Sequence, residues 1–190
     1  MSRVLYIHGF ASSGQSWKAQ ALEDYMVSQG MEPPLHPTVP VEPLRAIDVL
    51  SELIQKFNVE LVIGSSLGGF YALSLYDRFA KQTVLLNPSL RPWITLSGYT
   101  GPVKRHYSGD FFYWSEKHVK ELEQLGKVMD YEKFDNKKLH FYLAKDDEVI
   151  NHDEIPYLFP QADIKFYNDC KHTCVKFKDF LPEILQVLKD

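Results

Sequence analysis

The sequence predicts an α/β fold in three layers, with helices on both faces of a mostly parallel sheet of about six strands. Three observations carry this. Apolar runs such as Val4-Leu5-Tyr6-Ile7 and Leu61-Val62-Ile63 are short and lack polar alternation, as strands covered on both faces do. Between such runs lie segments with helical spacing, of which Leu44, Ile47, Leu50, Leu53, Ile54 and Phe57 form the clearest. Finally, Gly64-Ser65-Ser66-Leu67-Gly68 joins the end of one apolar run directly to the start of a helix. Strands and helices alternating in this way imply right-handed crossovers, and chemistry in such sheets gathers at the carboxyl ends of the strands.

Taken in order, Val4 to Ile7 is the first strand, and His8-Gly9-Phe10-Ala11-Ser12-Ser13-Gly14 is a turn-forming loop leading to a helix over about Ser16 to Gln29. Pro33, Pro34, Pro37 and Pro40 leave room for at most a short strand. The helix around Leu44 to Phe57 follows, then a strand over Val59 to Ile63, a helix over about Leu67 to Phe79, and a strand at Thr83 to Leu86 ending in Asn87-Pro88. Ser89 to Lys137 breaks the rhythm and reads as an aromatic-rich insertion closed by a helix over about Ser115 to Met129. Leu139 to Leu143 resumes the sheet, Ile164 to Tyr167 is its last strand, and Phe177 to Leu188 is the last helix. With 190 residues and no repeat or linker, one domain over 1–190 with an insertion at 89–137 is expected.

Composition narrows the function classes. A net charge of -4 gives no electrostatic reason to expect nucleic acid. No apolar run approaches the ~20 residues of a membrane span, and Val4 to Ile7 is far too short for a secretory leader. With only Cys170 and Cys174, a reducing, cytoplasmic compartment is the expectation. Cys170, His172 and Cys174 have no second ligand cluster in the sequence, so a buried thiol pair is favoured over metal. Gly64 to Gly69 lacks the Lys-Ser or Lys-Thr of a phosphate loop.

Gly64-x-Ser66-x-Gly68 between strand and helix fits a nucleophile elbow, which lifts the serine hydroxyl above the sheet. That hydroxyl needs a base and a group to orient the base. In this type of sheet the order is serine, acid, histidine. His172, after the last strand, is the base; His152 reads as an exposed residue at a helix start. Asp147, two residues before Val149, is the preferred acid, with Asp146 the alternative. Backbone N–H groups of Phe10 and Leu67 are the expected oxyanion donors, and His8 is expected to brace the Phe10 loop. Candidate substrate contacts in the insertion are Arg91, Trp93 and Phe111.

Tyr6-Ile7-His8-Gly9-Phe10, Ile63 to Ala72, Asn87-Pro88 with Arg91-Pro92, Asp147-Glu148-Val149 and the His172 loop together resemble a small α/β-hydrolase, and are similar to the bacterial YqiA-type esterase family. The resemblance implies Ser66 as nucleophile, Asp147 as acid and His172 as base, acting on simple acyl esters or thioesters without a cofactor. The chain departs from it at Asp146, where a glycine is usual, and at Cys170-Lys171, where small residues are usual. It is also expected to lack the first antiparallel strands of larger relatives. A serine esterase for short or medium acyl chains is the leading reading. An acyl-CoA thioesterase would call for Arg91, Lys104 or Arg105 at the pocket mouth, and a silent binding scaffold would leave the serine, acid and base without purpose.

Overall fold

The computed structural model describes residues 3–188. Its main sheet has five parallel strands, β1 (Arg3–Ile7), β2 (Val59–Ser65), β3 (Gln82–Leu86), β6 (Leu139–Ala144) and β7 (Asp163–Tyr167), in that spatial order. The sixth strand anticipated among the prolines shrinks to one bridge, Leu5 to Leu35, with the Tyr6 N–H donating to Leu35 O at 2.8 Å and the Leu35 N–H to Val4 O at 2.7 Å. Pro33, Pro34 and Pro37 have no N–H to extend the ladder.

The two sheet faces bury separate cores. On one, Val4, Tyr6, Ile63, Val84 and Tyr142 meet α1 (Trp17–Ser28) and α7 (Phe177–Gln186). On the other, Leu5, Ile7, Val62, Leu85 and Phe141 meet α2 (Pro43–Lys56) and α3 (Leu67–Phe79). Alternate residues of each strand thus serve opposite layers, which is why the strands read as continuous apolar runs.

Between β3 and β6 lie a short helix α4 (Pro92–Thr95), an antiparallel hairpin of β4 (Gly101–Lys104) and β5 (Phe111–Trp114), and the longer helix α5 (Glu116–Val128). Alternation along β5 turns Phe112 and Trp114 inward and leaves Phe111 and Tyr113 outside. Phe10 sits against Phe112 and Trp114, at ring-centroid distances of 5.7 and 5.0 Å. Two further bonds strap the hairpin to the loop after β1: Arg105 Nη1 donates to Ser12 O at 2.9 Å, and the His106 N–H to Ala11 O at 2.9 Å. A short helix α6 (Ile155–Leu158) lies between β6 and β7. No helix among the described residues is long and apolar enough to cross a membrane.

Candidate active site

Ser66 occupies the turn between β2 and α3 with φ 56° and ψ -117°, a region L residues seldom adopt. Close packing holds it there. A Cβ on Gly64 would lie 2.4 Å from Gly68 O, and one on Gly68 would lie 2.1 Å from Ile7 O, so only glycine lets strand and helix approach this far. The Ser66 N–H donates to Leu86 O, and Ser66 O accepts from the Ser89 N–H, which ties the turn to β3.

His172 Nε2 lies 2.9 Å from Ser66 Oγ, and its Nδ1 lies 2.9 Å from Asp147 Oδ2. The Asp147 side chain is almost fully buried. Burial pushes its pKa up, but hydrogen bonds from His152, His172 and the N–H groups of Ile150 and Val149 outweigh it and hold the carboxyl well below the usual range. Asp147 is therefore ionised and accepts only, so His172 presents Nδ1–H to it and a free Nε2 lone pair to Ser66.

Three carboxylates compete in this turn, and they take different partners. Asp147 faces the imidazole. Asp146 Oδ1 instead accepts from the N–H groups of Cys170 and Lys171, at 3.0 and 3.2 Å, and these bonds lower its pKa. Glu148 Oε2 accepts the His172 main-chain N–H at 3.1 Å. The neighbours of Asp147 thus hold the backbone of the loop whose imidazole Asp147 orients.

The loop after β1 reaches the serine: a Cβ on Gly9 would lie 3.2 Å from Ser66 Cβ. Phe10 and Leu67 therefore flank Ser66, and both line a small cavity of about 30 Å³ with Gly9, Tyr71, Phe112 and Trp114. His8 braces the loop as expected. Its Nε2 accepts from the Val39 N–H at 3.0 Å, which requires the proton on Nδ1, 2.8 Å from Gly9 O. Burial, with the Arg105 charge nearby, lowers the His8 pKa to about 4, a Gly9 O bond opposing them. The unfolded chain then binds a proton that the folded one refuses between about pH 6.5 and 4. Stability should fall by roughly 3 kcal/mol as pH drops through that window and level off below it. Urea unfolding at pH 7 and pH 4.5 should show this loss, and His8→Gln, which still offers Val39 an acceptor, should flatten it.

The candidate substrate contacts fare unevenly. Phe111 is 69% exposed on the outer hairpin face, and Phe112, one residue on, takes the inner position. Trp93 packs against Phe70 and over Gly126 instead of lining the small cavity. Arg91 pairs with Glu154. His152 is also corrected: it is 5% exposed, its Nε2 2.9 Å from Asp147 Oδ2. A histidine five residues after an acid in a tight turn was the signal available for it.

Two further supports lie outside the motifs that mark the site. Asn87, fully buried at φ 44°, donates through Nδ2 to Lys171 O and His172 O and accepts the Ala144 N–H, pinning the ends of β3 and β6 to the histidine loop. Lys18 Nζ donates to Ser65 Oγ and Thr173 O, both at 2.9 Å, linking the residue before the serine to the one after the histidine. Its place in line with Leu22 and Met26 on the buried face of α1 marks it as an inward lysine. Cys170 and Cys174 lie beside it as buried free thiols, 3.7 Å apart.

Comparison with known proteins matches residues 3–189 to the family described as "Uncharacterised protein family (UPF0227)". Among solved structures, Est1E from Butyrivibrio proteoclasticus superposes with a TM-score of 0.68 at 11% identity, over 100% of this chain and 89% of that one. A putative hydrolase of the α/β superfamily from Xanthomonas campestris pv. campestris gives 0.66 at 15% identity, over 100% and 99%. The esterase RhEst1 from Rhodococcus sp. ECU1013 gives 0.64 at 12% identity, over 100% and 90%. At these identities the likeness is one of fold, and the fold is that of the α/β hydrolases.

Proposed function

This chain belongs to the UPF0227 family, and on that footing we propose that it is a serine esterase hydrolysing short or medium acyl esters. The observation that carries the reading is the linear array Ser66 Oγ, His172 and Asp147, with both links at 2.9 Å. In the proposed reaction His172 Nε2 takes the Ser66 proton as Oγ attacks the ester carbonyl, and Asp147 stabilises the imidazolium that forms. The N–H groups of Phe10 and Leu67 receive the negative charge on the carbonyl oxygen. The imidazolium then protonates the departing alcohol, leaving an acyl group on Ser66, and water activated by the same imidazole releases it. The named esterases among the structural neighbours are consistent with this chemistry.

A fluorophosphonate probe tests the reading: phosphonylation found by mass spectrometry on Ser66 is the expected result, and an unlabelled Ser66 would reject both an esterase and a thioesterase in favour of a silent scaffold. The observation that favours the thioester alternative is Arg105, which lines the small cavity. Rates on p-nitrophenyl esters and on acyl-CoA thioesters of matched chain length decide between the two.

A further inference from the structure

We infer that His152 is a positioning residue for the Ser66–His172 pair, a second imidazole that fixes Asp147 through the carboxylate oxygen His172 also uses. The inference rests on the serine esterase reading. His152 Nε2 and His172 Nδ1 each lie 2.9 Å from the same oxygen, Asp147 Oδ2, while Oδ1 accepts from the N–H groups of Val149 and Ile150 at 2.8 Å and lies 3.1 Å from His172 Nδ1. The carboxylate is thus held by donors on both oxygens. Because Asp147 is ionised and can only accept, the His152 proton must sit on Nε2.

Packing alone does not account for this imidazole. Its side chain is 3% exposed, and Nδ1 is buried with no protein partner among the described residues. An unpaired buried acceptor is costly, and an apolar side chain of similar size would avoid it. What an apolar side chain would lack is the proton aimed at Asp147. The main chain at His152 is also tied to α6, since His152 O accepts the Ile155 N–H at its start.

The consequence concerns how strongly Asp147 can hold a charged His172. A donor on Oδ2 draws charge from the oxygen that His172 also uses, so His152 tempers the carboxylate's hold on the imidazolium. The other charged groups facing this pair are Glu148, on the His172 N–H, and Asp146, on the Cys170 and Lys171 N–H groups. Both stay in place when His152 alone is changed.

His152→Leu removes the donor and His152→Gln can restore one. For His152→Leu, kcat on a p-nitrophenyl ester should fall roughly tenfold to a hundredfold with KM unchanged. The acid limb of its pH–rate profile should move to higher pH, by up to about one unit. His152→Gln should recover most of the rate and return the limb. Wild-type kcat in the leucine variant, an unmoved limb, or equal losses in both variants would overturn the inference. Nitrogen-15 NMR of histidine in the wild-type protein at pH 8 gives a measurement independent of how the variants fold: His152 should show the Nε2–H tautomer, and an Nδ1–H tautomer would reject the role. Fluorophosphonate labelling of wild-type Ser66 separates this outcome from failure of the esterase reading itself.

Discussion

Ser66→Ala and His172→Ala are each expected to lose about a million-fold in kcat, and the double variant to lose no more than either single one. The reason is that the two side chains act as one group. The Ser66 hydroxyl is nucleophilic only while His172 Nε2, 2.9 Å away, accepts its proton, and the imidazole has no other proton to take. In the proposed reaction, what remains after either change is the binding and charge stabilisation at the loop of Phe10 and the start of α3, which neither substitution touches. Nor should folding suffer. The Oγ of Ser66 has His172 as its partner, whereas the strained backbone at Ser66 is held by main-chain bonds to Leu86 and Ser89. Steady-state hydrolysis of p-nitrophenyl acetate with thermal melts of all three variants checks this. Losses that add in the double variant would mean that serine and histidine work independently.

Much of this site is legible in the sequence because its signals are local. The helix boundaries at Leu67 and Phe79 follow from an apolar strand, a glycine-flanked serine and a helical repeat within twenty residues, and the structure returns the same span. Order along the chain then separates His172 from the other histidines. What escapes is set by contacts between distant segments. Phe111 and Phe112 are indistinguishable as residues, and only the pairing of β5 with β4, and Phe10 behind it, decides which one faces inward. Asn87 and Lys18 reach partners 84 and 155 residues away, which no spacing rule announces. His152 reads as a surface residue because its spacing from Asp147, the one local signal, does not say on which side of the turn it folds.

Asp147→Asn should lower kcat about ten-thousandfold, while Asp146→Asn should cost less than about tenfold. The two aspartates are neighbours with opposite tolerances, because their partners differ. Asp146 accepts from two main-chain N–H groups, and an asparagine oxygen can accept from the same two. The histidine loop therefore keeps its shape and loses only the charge. At Asp147, Oδ1 serves the N–H groups of Val149 and Ile150 and lies 3.1 Å from His172 Nδ1, while Oδ2 makes the shorter contacts to His172 and His152, so an asparagine would keep its oxygen on the main-chain groups and turn its NH2 toward the two histidines. A donor at the shorter of the two Nδ1 contacts favours the His172 proton on Nε2, where the imidazole offers Ser66 a hydrogen instead of taking one. Flipping the amide would restore the tautomer only by setting NH2 against two main-chain N–H groups. The geometry around the serine can thus be intact and the pair still inert. Fluorophosphonate labelling rates and kcat for both variants, measured side by side with melting temperatures, test this. A larger loss in Asp146→Asn would mean that the charge on the loop matters more than the tautomer of its histidine.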